Sequence, residues 1–206
     1  MSWGLVQSAI TAGAGLGGVW LGGRLTWKRE EARERARELK EATYLAILVV
    51  AHVDRFANSC LHVAFDDGTE EGRPAGSQGC WAPTVTPPVF DPLSFDVNWK
   101  ALPADLMYDI LGMPYRIEQL EQDIAEVYEH DGPPDYSEYF WERRRGWAVL
   151  GLEFSELARR LRSHAGLPAL PDRPDSWNRD HQLREKEAKM ECAKKASEAR
   201  RASREE

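Results

Sequence analysis

Residues 104–127 read ADLMYDILGMPYRIEQLEQDIAEV. In this stretch Leu106, Ile110, Met113, Ile117, Leu120, Ile124 and Val127 recur at alternating four- and three-residue steps. That spacing lays one apolar seam along an α-helix. Pro103 suits the first helical turn, where a missing N–H costs nothing. Pro114 lies inside the seam without shifting its phase, so the expectation is one kinked helix rather than two.

The same pattern extends outward in both directions. Downstream, HDGPPD at 130–135 makes a turn, and a third helix is predicted from about Tyr136 to Ala165. Its seam is Phe140, Trp147, Leu150, Phe154, Leu157 and Leu161, regular from Trp147 onward. Gly166 before Leu167-Pro168 is a stop signal, because glycine adopts the left-handed cap at little cost. Upstream, residues 28–62 predict one long helix. It begins with the charged run KREEARERARELKE, in which Glu and Arg sit four residues apart. The helix then turns apolar through Leu39, Ala42, Leu45, Ala46, Val49, Val50, Val53, Phe56 and Ala57. The run ATYLAILVVAHV is too short to cross a bilayer and reads as a core helix.

Ahead of that helix, residues 3–23 read WGLVQSAITAGAGLGGVWLGG and carry no charge. About 20 residues cross a hydrocarbon core of about 30 Å as a helix. Seven glycines would make a poor helix in water, at about 1 kcal/mol each relative to alanine. In lipid the alternative is unsatisfied backbone, so a helix forms regardless. Ala9, Gly13 and Gly17 share one face, and Ala14, Gly18 and Gly22 another. Small residues every four positions let membrane helices approach closely. Trp3 and either Trp20 or Trp27 fall where interfacial aromatics would sit. A cleaved signal peptide is disfavoured, because the basic residues follow the apolar run instead of preceding it. Arg24, Lys28 and Arg29, with Arg33, Arg35 and Arg37 behind them, place the C-terminal bulk in the cytoplasm by the positive-inside rule.

Two segments lack such periodicity. Residues 66–101 are rich in Gly and Pro, too long for an ordinary connection. Their glycine-rich half, 68–80, is expected to be mobile. Trp81, Val85, Val89, Phe90, Leu93, Phe95 and Trp99 are expected to pack the second half onto the helices. The tail after Pro174 has helical composition without an apolar stripe, which predicts a solvated helix or a frayed end.

The chain of 206 residues carries a net charge of −7. Its basic residues are interleaved with acidic ones, which argues against nucleic acid as a partner. Three well-separated cysteines, Cys60, Cys80 and Cys192, form no disulfide framework and suit a reducing compartment. Cys60, His62 and Cys80 match no zinc spacing, so no metal site is assigned. His52, His62, His130, His164 and His181 stand near no nucleophile in a known motif. His130-Asp131 is read as a polar turn rather than a phosphohydrolase pair. Glu118, Glu121, Asp123 and Glu126 read as a solvated helix face. Tyr136, Tyr139, Phe140 and Trp141 beside Arg143, Arg144 and Arg145 could stack on a single strand of nucleic acid, but Asp135, Glu138 and Glu142 weaken that reading. No phosphate-binding or nucleophile-elbow motif occurs, and neither a catalytic site nor a cofactor is assigned.

The stretches SFDVNWKALPADLMYDIL and PDYSEYFWERRRGWAVLGLEFSELARRLRSHAGLP resemble a group of uncharacterised bacterial and phage proteins with an N-terminal anchor. The likeness covers about residues 27–170. It implies a helical architecture and a bacterial or phage origin, and it carries over no functional residue.

The expected fold is all-α: a glycine-rich transmembrane helix continuing into an antiparallel three-helix bundle, with a charged C-terminal helical tail. The expected parts are an anchor at 1–25, a bundle domain at 26–170 containing the 66–101 connection, and a tail at 171–206. The expected function is a non-catalytic, self-associating scaffold on the bacterial inner membrane, single-pass and facing the cytoplasm. Its partners would be the lipid bilayer, further copies of itself and a protein the sequence does not identify. Two alternatives remain open: a ligand-sensing or effector module, as in phage defence, with a pocket between the 66–101 segment and the helices, or a phage lysis protein of opposite topology.

Overall fold

The computed structural model describes the backbone of residues 3–171, 174 and 178–205. Within that backbone it describes the side chains of 23, 24 and from 26 onward, apart from 201, 204 and 205. The described chain is 75 % helix and 2 % strand, so the all-α expectation holds at that level. Its helices are α1 (Trp3–Phe65), α2 (Ala104–His130), α3 (Ser137–His164) and α4 (Arg179–Glu205). Two two-residue strands, β1 (Thr69–Glu70) and β2 (Arg73–Pro74), pair antiparallel between α1 and α2. The chain divides into two units, Met1–Thr43 and Tyr44–Glu206.

In the first unit the backbone is helical from Trp3. The small-residue faces Ala9/Gly13/Gly17 and Ala14/Gly18/Gly22 lie on this helix, but their packing lies outside the described residues, as do the surroundings of Trp3 and Trp20. Glu31 pairs with Arg35, and Arg37 with Glu41 at 3.1 Å, each one turn apart as the sequence spacing implied. Leu39, expected to open the apolar face of the helix, is instead 66 % exposed. A leucine set among Glu38, Lys40 and Glu41 makes no continuous stripe; burial begins at Leu45.

The second unit is built around α3. From α1 come Leu45, Val49, Val53, Phe56 and Val63, and from α2 Leu106, Ile110, Met113, Ile117 and Ile124. Trp147, Leu150, Phe154, Leu157 and Leu161 of α3 complete the same core. Each such side chain removed from water contributes about 1.5–3 kcal/mol, which ties these seams together. Phe56 stacks on Phe154 with ring centroids 4.0 Å apart, and Phe90 meets Phe154 edge-on at 5.1 Å.

The pairings give the directions of the helices. Arg160 meets Asp105 and Asp109, while Arg116 meets Glu153, so α2 and α3 run antiparallel. Arg162 meets Asp54, and Arg143 meets Asp66, so α3 is also antiparallel to the second half of α1. Gly146 lies so close to Leu120 that a Cβ there would overlap the leucine side chain. The α2 assignment continues through Pro114, in keeping with one helix rather than two.

Two loops explain where helices stop. Gly166 has φ +63, and the amides of Gly166 and Leu167 donate to the carbonyls of Ser163 and Arg162. This is the paired-bond left-handed cap the sequence predicted. Asp131, the residue that ends α2, accepts from the Tyr139 amide at 2.8 Å in the first turn of α3. His130 is likewise spent locally, its Nδ1 lying 2.9 Å from the Glu126 carbonyl. The His130-Asp131 pair is thus a helix-to-helix turn.

Two expectations meet a different outcome. The glycine-rich half of the 66–101 segment is held in place: the Ala75 and Ala82 amides donate to the Gly68 carbonyl, and Trp81 N–H donates to Pro134. Its second half packs in part as expected: Phe90 and Pro92 are buried and Val85, Phe95 and Trp99 lie against the core, but Val89 and Leu93, expected to pack with them, are exposed. The C-terminal helix also differs from a freely solvated tail. Leu183 is fully buried with Ala64 and Ala148, flanked by Leu61 and Leu152. One leucine suffices because Gly151 leaves a hole for it: a Cβ there would come within 3.0 Å of Leu183.

Candidate functional site

Asp66 follows directly on the last residue of α1, where the exposed carbonyls of a helix end disfavour a carboxylate. It must therefore be held by donors from elsewhere, and it is. Asp66 Oδ1 accepts from the Gly68 amide at 3.1 Å and from the Thr84 hydroxyl at 2.8 Å. Oδ2 accepts from the amides of Thr84 and Val85, each at 3.0 Å, and from Arg143 at 2.8 Å. The second nitrogen of Arg143 donates to the Val85 carbonyl.

Both side chains of this pair are sequestered, Arg143 being 3 % exposed and Asp66 0 %. Burial pushes the Asp66 carboxyl up. The Val85 amide, the Thr84 hydroxyl, the Gly68 amide and the Arg143 charge together outweigh it and hold the group below the usual carboxylate range. Gly68 serves the turn in two ways. Its φ is +78, and a Cβ would run into the Phe140 ring. With every carboxylate lone pair engaged, this cluster ties the 66–85 loop to α1 and α3.

The neighbouring arginines take other partners. Arg144 donates to the Ala64 carbonyl at 3.4 Å, and Arg145 pairs with Glu191 of α4. Trp141 carries the guanidinium of Arg145 at 5.3 Å and the ammonium of Lys194 at 3.5 Å from its ring centroid. Tyr136 stacks on Tyr128, and Phe140 meets Trp81 edge-on. Of the residues considered for stacking on a single strand, Tyr136, Tyr139 and Phe140 thus cluster with Tyr128 and Trp81, while Trp141 and the arginines take partners elsewhere. Each is engaged within the chain.

On the outer side of α2 and α3 the surface opens into a groove of about 550 Å³ lined by Tyr108, Gly112, Tyr115, Val149, Leu152 and Glu156, among others. A second hollow of about 350 Å³ continues it past Gln119, Leu120 and Gly146. Neither hollow is lined by any residue of the 66–101 segment, where a ligand pocket was one expectation. That segment spends its aromatic rings on the core. Phe90, for example, meets Phe56 at 5.7 Å, and Phe95 meets Phe90 at 6.1 Å.

The remaining candidates stay apart. Glu118, Glu121, Asp123 and Glu126 are exposed on α2, in keeping with a solvated face. Cys60 is buried, Cys80 half-buried and Cys192 exposed, and burial pushes the Cys60 thiol well up. Among the described residues no group of His, Cys, Asp or Glu is placed to hold a metal ion.

Sequence reasoning missed two features here. Arg143 occupies the seam position between Phe140 and Trp147, and an arginine inside an apolar seam is itself a sign of a buried ion pair. The groove's signal is a second periodicity in α2: Tyr108, Gly112, Tyr115, Gln119 and Gln122, again at four and three. Comparison with protein-family models, with curated proteins and with solved structures finds no match for this chain.

Proposed function

We propose that this protein is a membrane-anchored, self-associating helical scaffold, with unit Tyr44–Glu206 an antiparallel bundle facing the cytoplasm. The observation that carries this reading is the uncharged 3–23 stretch, helical in backbone, followed at once by Arg24, Lys28 and Arg29. Among the described residues, the Thr26–Phe65 part of α1 is also long and apolar enough to cross a membrane by length and composition. However, 44 % of its most apolar window is buried, and Leu45, Val49, Val53 and Phe56 are committed to the core. That leaves 3–23 as the segment for lipid. Its faces Ala9/Gly13/Gly17 and Ala14/Gly18/Gly22 are the proposed contacts between anchors. A docked α4 and a fully engaged Asp66–Arg143 cluster suit a protein that presents surfaces rather than one that turns over a substrate.

Fractionation with a carbonate wash, combined with protease access from the cytoplasmic side, tests the anchor and its direction. Retention in the membrane, with α4 cut from the cytoplasm, is the expected result. Release into the wash would end the anchor reading, and a tail cut only from the periplasm would favour the opposite, lysis-type topology.

A further inference from the structure

We propose that the groove between α2 and α3 is a homodimer contact, in which a second copy of this chain lays its own α2 antiparallel across Gly112. This deepens the self-association proposed above, which it takes as its starting point.

The outer face of α2 carries a second helical seam. Tyr108, Gly112, Tyr115, Gln119 and Gln122 step by four and three, the spacing by which one helix meets another. Tyr108 is 77 % exposed and Tyr115 64 %, and tyrosine is among the residues that anchor interfaces. Between them stands a glycine in mid-helix, where glycine is unfavourable relative to alanine. Among the described residues, nothing fills the space its missing side chain would take. A Cβ at Gly112 would meet no atom within 4 Å, whereas one at Gly146 or Gly151 would collide with a neighbour. A glycine with open space over it, between two exposed tyrosines on a groove floor, fits the close approach of a backbone from outside.

The identity of that backbone follows from symmetry. An isologous contact needs a surface complementary to itself. Turned antiparallel about Gly112, Tyr108 of one copy faces Tyr115 of the other, and Asp105 faces Gln119. Asp109 comes opposite Arg116. Within one copy Asp109 is held by Arg160, and Arg116 by Glu153 at 2.8 Å, all on the groove rim. Pairing two copies would join these bridges into a network across the dyad, acid against base at both ends. A parallel arrangement would set Asp109 against Asp109.

The test is disulfide trapping in the full chain in native membranes, in a Cys80→Ser, Cys192→Ser background that leaves only buried Cys60. Gly112→Cys should give a covalent dimer on mild oxidation, since the two positions meet at the dyad. Glu121→Cys, exposed elsewhere on α2, should not. Adding Tyr108→Ala and Tyr115→Ala should lower the Gly112→Cys dimer yield about tenfold, equivalent to ~1.4 kcal/mol. No dimer at Gly112→Cys, or equal yields at both positions, would overturn the proposal. Membrane retention without trapping removes this contact and leaves the anchor. Trapping in a chain released by carbonate removes the anchor and leaves this contact.

Discussion

Arg143 and Arg145 stand two residues apart on α3, and each closes an ion pair with a distant segment, yet they do different physical work. Arg143 reaches inward to Asp66, with both side chains essentially out of water. Arg145 reaches outward to Glu191, with the two side chains 35 % and 34 % exposed. The inner pair is surrounded by donors that complete every lone pair of the carboxylate, so it is rigid and depends on all its members. The outer pair is half-buried but open to solvent on one side, beside Lys194 and Trp141, and shares its task with them. One helix thus attaches the 66–85 loop by a buried polar knot, and α4 by one buried leucine, Leu183, with a set of weaker polar contacts around it.

The sharpest way to break this contrast is Arg143→Ala. The change strands the Asp66 carboxylate in a site closed to water, which typically costs about 3–5 kcal/mol. Urea unfolding should show a loss of that size. A loss below about 1 kcal/mol would mean that the loop amides alone hold Asp66, and the knot would not depend on the arginine.

Next in size is Leu183→Ala, which empties the hole over Gly151. Removing a buried leucine costs about 2–5 kcal/mol, and the lower end is expected here because α4 can detach instead of straining the core. Hydrogen exchange should quicken along α4 and stay slow in α2 and α3. Quickened exchange in all of them would show α4 to be part of one cooperative core.

Legibility in the sequence follows the same division. The seams of α2, α3 and the second half of α1 could be read directly, because their burial repeats with the helical period. So could the cap at Gly166 and the packing of Phe90, Phe95 and Trp99, whose residue types have few other uses. The Asp66–Arg143 knot joins residues 77 apart through loop amides that no periodicity encodes. Only the arginine set between Phe140 and Trp147 hinted at it. The docking of α4 rests on a single leucine amid charges, and its receptor exists only because Gly151, Ala64 and Ala148 are small. A pattern search needs repeats, and this contact has none. The groove at Gly112 was hidden for another reason: the buried seam of α2 is so regular that the polar seam on its other face passes as ordinary surface.

Arg145→Ala is the smallest expected effect and the one that tests the contrast most closely. An exposed ion pair contributes about 0–1 kcal/mol, and salt screens it. The substitution should therefore cost less than ~1 kcal/mol in low salt, and the cost should vanish near 1 M salt, where the screening length falls to about 3 Å. The Arg143→Ala loss should persist in the same salt, because ions do not enter its site. Lys186 is a further contact of α4: it lies 4.8 Å from the Phe65 ring, and burial pushes its ammonium down to about 8. If the Arg145→Ala cost survived high salt, the outer pair would have to be as closed as the inner one. The two arginines would then differ in partner alone, and α4 would belong to the fold as firmly as the 66–85 loop does.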